Sequence, residues 1–169
     1  MDCHKPERMK RMVQKIDSFT GKYAFLSNFY KCTFFYRGEE FPTAEHAFVF
    51  EKDGNKERFV LQYRGVMLNQ VTFDDFLWLS PREAKHLGHR IVLRDSWNDL
   101  RIGKMYDILS AKFSIQCLEK ALRETGNDYL VEGNSWGDTF WGVCNGKGRN
   151  NLGKLLMYVR EGLSQEIDF

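Results

Sequence analysis

No two cysteines stand close enough in the chain to form a metal or redox motif. Cys3, Cys32, Cys117 and Cys144 are scattered, and no C-x-x-C occurs. Zinc-ribbon and dithiol readings therefore lack a basis, and the cysteines read as reduced thiols. His86 and His89 are three apart, but no second ligand pair has metal spacing, so neither a metal nor a cofactor is expected. Long apolar runs are missing too: nothing approaches the ~18 residues of a membrane span. The first residues also lack the apolar stretch of a secretory leader. The expectation is a soluble, cytoplasmic protein without a membrane partner. Neither charge dominates, since 25 Lys and Arg face 23 Asp and Glu for a net charge of +2. That balance neither demands nor excludes nucleic acid. H-E-x-x-H is absent, which leaves zinc proteolysis unsupported.

What is present is ordinary globular composition with an aromatic surplus. Aromatics make up 15% of the chain, enough for a core or for a pocket that stacks flat ligands. The 169 residues predict one domain, without linker or repeat, that needs no disulfide to fold. Basic residues gather at Lys5, Arg8, Lys10, Arg11 and Lys15, and again at Arg82, Lys85, Arg90, Arg94, Arg101 and Lys104. Either group can be a phosphate footprint or a solvated face.

Local signals place the elements. "YAFLSNF" and "CTFFYRGEEF" read as short strands, the second folded at Arg37-Gly38. Thr43 after Pro42 caps a helix carrying Glu45 in its first turn. A helical stretch is expected at 56–63. "SPREAKHLG" has a Ser80 cap, Pro81 at the first position, Glu83 closing the box and Gly88 past the end. Ser96 and Asp99 start a long helix running to Gly126. "YLVEG" and "TFWGV" read as short strands. Leu152, Leu155, Leu156, Val159 and Leu163 recur at helical spacing from a start near Asn150. The pattern predicts an α+β fold with a helical majority.

Three stretches carry possible chemistry. Gly148 to Lys154 spells G-x-x-x-x-G-K, but Leu155 stands where a P-loop needs a hydroxyl for magnesium. What survives is a Gly-rich loop entering a helix, which fits either an anion clamp or an ordinary capped loop. "FLSNFY" sets Asn28 beside Phe29, and "EGNSWGDTFWG" gathers Glu132, Asn134, Trp136, Asp138 and Trp141. Such loops build a pocket, or merely bury a Trp among Asx turns. Glu45 adjoins His46, but helix neighbours point about 100° apart, so one faces a cleft and the other faces packing.

Taken in order, "GKYAFLSNFY", "FPTAEHAFVFEKD", "AKHLGHR", "SWNDLRIGKMYDILSAKF" and "LVEGNSWGDTFWGVCNGKGRNNLGKLLMYVRE" closely resemble the NADAR (YbiA-like) family. The resemblance covers residues 17–162, so residues 17–169 read as the domain and 1–16 as a basic extension. It implies cleavage of N-glycosidic bonds between a ribosyl group and a base. The substrate it implies is ADP-ribosylated guanine, free or in DNA or RNA. Phosphorylated riboflavin intermediates are the alternative, and a non-catalytic ADP-ribose or NAD reader is a third reading. On this resemblance Glu45 is the base or cation stabiliser and Asp138 orients ribose or water. Lys52 or Lys112 is a candidate Schiff-base amine. Trp97 and Trp136 are candidates to stack the base beside Phe29, with a core position the alternative for either, while Asn28, Asn134 and Asn151 bind sugar or phosphate. The loop through Gly148 and Gly153, with Lys147, Arg149 and Lys154, becomes the phosphate or ribose clamp.

Overall fold

The computed structural model describes residues 12–55, 59–63 and 66–165. Its strands are short: β1 Lys15–Ile16, β2 Phe34–Tyr36, β3 Glu39–Phe41, β4 Phe59–Tyr63, β5 Val66–Val71, β6 Tyr129–Leu130, β7 Gly133–Asn134 and β8 Val143–Cys144. They form four two-stranded pairs rather than one sheet. β2–β3 and β4–β5 are antiparallel, β1–β6 and β7–β8 parallel. The helices are α1 Ala44–Asp53, α2 Phe73–Leu77, α3 Pro81–Gly88, α4 Trp97–Lys112, α5 Gln116–Glu124 and α6 Asn151–Gln165. The fold is α+β with a helical majority, as the sequence pattern predicts.

Helix α1 is the centre. Residues 44–51 are all buried, which fits a helix packed on every side. Thr43 accepts from the His46 amide, and Gly54 closes the helix in the left-handed region. Phe50 of α1 packs with Phe41, Phe73 and Phe76 in a cluster of two edge-on and two tilted ring contacts. Near its end, the fully buried Glu51 accepts from Tyr36 Oη at 2.8 Å and from Arg37 Nη1 at 3.0 Å. Arg94 Nη2 also donates to it, and Lys104 Nζ lies 3.8 Å away. Burial alone would raise the Glu51 pKa. The bonds from Arg37 and Tyr36 and the charge of Lys104 outweigh it and hold the pKa below the usual glutamate value. One carboxylate thus ties α1 to the β2–β3 turn and to α4.

The β2–β3 turn needs positive φ at both central residues. Arg37 and Gly38 supply 53° and 83°. The α3 capping box forms as expected, with Ser80 and Glu83 bonding reciprocally. α3 runs through Gly88 itself and is capped by His89.

Four elements differ from the sequence reading. Residues 21–26 form a 3₁₀ helix instead of a strand. Residues 59–63, expected to be helical, are strand β4 paired with β5, and 56–58 lie outside the described residues. The long helix from Trp97 divides at Phe113–Ile115. There Ser114 Oγ donates to the Ala111 carbonyl, so a side chain competes with the helical ladder. The strand expected in "TFWGV" is only Val143–Cys144.

Candidate active site

A cavity of about 520 Å³ opens where α1, α3 and α4 meet the loop before α6. Glu45, Phe48 and Lys52 line it from α1, Lys85 from α3, Arg101 and Met105 from α4. Asn28 and Phe29 form another wall, and Glu132, Trp136, Asp138 and Trp141 a third.

Glu45 lies in the first turn of α1, only 8% exposed, and its amide donates to the Asn28 carbonyl at 3.0 Å. Burial raises its pKa to about 7; Lys85 and Lys52 oppose the rise and Asp138 adds to it. Glu132 is also raised to about 7, by burial and then by Asp138, against Lys85. Asp138 is anchored: its Oδ1 accepts from the amides of Phe140 at 3.1 Å and Trp141 at 2.9 Å. The Asn134 side chain brackets the Asp138 backbone through both of its ends.

Among the described residues, three buried side-chain atoms have no hydrogen-bond partner: Asn28 Oδ1, Arg101 Nε and Glu132 Oε2. All three residues line this cavity. Buried polar atoms are rarely left unpaired, so two acceptors and a donor gathered in one hollow describe the outline of a polar ligand. Cations surround the same space. Lys85 Nζ sits 5.7 Å from the Phe29 ring centre and 6.0 Å from that of Trp136. The Arg101 guanidinium lies 3.7 Å from the Phe140 ring centre. Lys52 Nζ donates to the Gly88 carbonyl at 2.8 Å, and burial lowers its pKa.

Of the residues expected at the site, Glu45, Asp138, Lys52, Asn28, Phe29 and Trp136 line the cavity together. His46, beside Glu45, turns into packing: its Nε2 donates to the Leu79 carbonyl at 3.0 Å and its ring meets Phe76. Trp97 is core, packed on Phe48 with ring centres 5.2 Å apart. Lys112 is fully buried outside the lining and donates to the Ser27 carbonyl at 2.8 Å. Asn134 lines an adjoining groove.

The clamp expected at Gly148, Asn151 and Gly153 is not formed. These residues, and Lys147, Arg149 and Lys154, lie outside the lining. The amides of residues 149–152, which an anion would need, donate to the carbonyls of 139–142. Gly148 has φ of +150°, and a Cβ there would stand 2.1 Å from the Gly142 carbonyl oxygen. A Cβ on Gly153 would stand 2.2 Å from that of Leu130. The glycines serve close backbone packing. Asn150 spends its side chain on the neighbouring loop, accepting from the Glu132 amide and donating to the Leu130 carbonyl.

Met105 and His89 escaped the sequence reading as site residues, while Glu132 was read only as part of its loop, and Lys85 and Arg101 only as part of a basic group, without a role of their own. Two signals pointed to them: Arg101 and Met105 are four apart on one helix face, and Glu132 directly follows the apolar Leu130-Val131.

This architecture is that of a known family. The NADAR domain family matches residues 15–164, and the chain belongs to that family. Among its relatives, the N-glycosidase YbiA of Shigella boydii is 33% identical over 162 residues, spanning 94% of this chain and 92% of that protein. A riboflavin biosynthesis protein of Vibrio vulnificus is 30% identical over 149 residues, but the chain spans only 37% of its length. The NMR structure of the Escherichia coli protein YbiA superposes with a TM-score of 0.73 at 29% identity, covering 94% of this chain and 91% of that one.

Proposed function

We propose that the protein is an N-glycosidase that hydrolyses the bond between a ribosyl group and a base, with ADP-ribosylated guanine as its preferred substrate. The observation that carries this reading is the convergence of unpaired Asn28, Arg101 and Glu132 atoms on the cavity that buries Glu45. The names of the relatives support the glycosidase class. Breaking an N-glycosidic bond builds positive charge on the anomeric carbon and ring oxygen. A carboxylate facing that carbon stabilises the charge and takes a proton from the attacking water, while an acid protonates the nitrogen of the departing base, as in sugar hydrolysis. Glu45, with a pKa near 7, holds that role; Asp138, fixed by two amides, orients the ribose or the water. Asn28 Oδ1 and Glu132 Oε2 accept from sugar hydroxyls. Phe29 offers a face to the base that departs. Lys52, Lys85 and Arg101 suit a diphosphate, which asks for more cations than a monophosphate does.

The test runs purified protein against ADP-ribosylated guanosine and, separately, a phosphorylated ribosylaminopyrimidine intermediate, with products separated by chromatography. The expected result is release of ADP-ribose and guanosine, faster than cleavage of the intermediate. Faster turnover of the intermediate reverses the substrate ranking. Binding of the ADP-ribosylated nucleoside with its return unchanged makes the protein a reader instead. For the amine route, a borohydride adduct on Lys52 during turnover is the diagnostic product.

A further inference from the structure

Beside the main cavity lies a groove of about 440 Å³, lined by Ser18, Thr20, Asn134 and Ser135, with Ser27, Glu132 and Trp136 shared between the two hollows. Both volumes fall in the range of small-molecule sites. Their chemistry differs. Lys52, Lys85 and Arg101 line the cavity, whereas among the described residues no Lys or Arg lines the groove. What lines the groove is hydroxyls, one amide, the Phe19 side and a largely exposed indole, 64% accessible at Trp136. Among the described residues its one charged group is Glu132, whose Oε2 is buried and unpartnered. Among the described side chains a phosphate would find no cation there and would meet the Glu132 carboxyl. A ribose and an uncharged base would find hydroxyl partners, an open acceptor and an aromatic face.

We propose that this groove is a second subsite, for the uncharged nucleoside at the far end of a two-part substrate. The proposal rests on the glycosidase reading of the main cavity. The order along the ligand follows from the lining. The scissile ribose sits at Glu45, the diphosphate lies among Lys52, Lys85 and Arg101, and the distal nucleoside passes Trp136 into the groove. A substrate that ends at a monophosphate leaves the groove empty. The groove therefore sets selectivity between long and short substrates by binding, not by chemistry.

Thr20 is exposed and its side chain caps nothing, so Thr20→Trp fills the groove from its outer wall. Calorimetry with free adenosine as probe, at low salt, reads the groove without any turnover. Wild type and Glu45→Gln should bind adenosine alike, and Thr20→Trp should bind it about tenfold more weakly, the scale of one lost base–aromatic stack. The ratio of KM for ADP-ribosylated guanosine to KM for guanosine carrying a 5-phosphoribosyl group should rise by the same factor in Thr20→Trp. Circular dichroism and the thermal midpoint establish that the variant is folded. Equal adenosine binding by wild type and Thr20→Trp, or no binding by wild type, overturns the subsite. If adenosine binding falls as expected while neither substrate is hydrolysed by wild type, the subsite stands and the glycosidase reading fails. If wild type hydrolyses both and the KM ratio is unmoved in the variant, the reading stands and the subsite fails.

Discussion

Glu45 couples catalysis to stability through one proton. Its pKa in the fold is near 7, above the ordinary glutamate value of 4.5, because the charged form loses water on burial. A group raised in this way favours folding below its unfolded pKa, and that advantage is lost as pH rises through 7. The gap corresponds to on the order of 3 kcal/mol above pH 7. Glu45→Gln removes the titration at almost constant shape. Its thermal midpoint should exceed that of wild type at pH 8 and converge with it near pH 4, as differential scanning calorimetry will show. The same variant should lose about 10²–10⁴-fold in turnover, the usual contribution of an acid or base. Retention of half the wild-type rate would remove Glu45 from the reaction. Wild-type turnover at limiting substrate should climb with pH through about 7 as Glu45 ionises. A flat profile from pH 5 to 8 contradicts its role as base.

Elements were legible where a local rule is strong. Thr43, Ser80 with Glu83, and Arg37-Gly38 each carry a short-range signal, and each forms as read. Residues 59–63 misled because a short apolar run suits helix or strand equally, and the partner β5 decided it. Gly148 and Gly153 looked like a ligand loop because a one-dimensional pattern cannot distinguish a phosphate from the carbonyls of Gly142 and Leu130. Gly153→Ala should therefore cost about 1–3 kcal/mol through overpacking, read by denaturant midpoint. An unchanged midpoint would mean that α6 can shift. At the other end of α1, Glu51→Gln weakens an arrangement of three cations and a tyrosine, at a cost of about 3–5 kcal/mol. The Glu51 pKa is depressed, so its contribution is present at neutral pH and disappears as pH falls through that lowered value. Wild type should thus lose its advantage over the variant in acid, and a constant gap down to pH 2 would contradict this.

At the scale of the whole chain, the candidate site was half legible. Glu45, Lys52, Asn28 and Asp138 stood in motifs, while Arg101 and Lys85 looked like any solvated cations until the fold set them around one hollow. Net charge gave little help, because +2 hides how the charges are placed. Four of the basic residues of the N-terminal group, Lys5, Arg8, Lys10 and Arg11, precede the described residues; Lys15 belongs to β1. If the proposed substrate is carried on a strand of nucleic acid, these four residues are its natural phosphate contacts. Binding should then weaken with salt at a log–log slope near −0.7 per contacted phosphate. Removing residues 1–11, which spares β1, should flatten that slope and leave cleavage of the free nucleoside intact. Equal slopes with and without the segment would remove nucleic acid from the proposal.

The lacing of residues 139–142 onto the amides of 149–152, at the entry to α6, has a consequence for how fast and how tightly a ligand is taken up. A loop that waits in disorder must be frozen by its guest, and part of the guest's affinity is consumed in the freezing. Here the stretch behind Asp138 is already crystallised onto a helix, so the guest meets a finished mould. Association should approach the speed of simple docking, and the amide protons of 149–152 should exchange with solvent equally slowly in the empty and the filled protein.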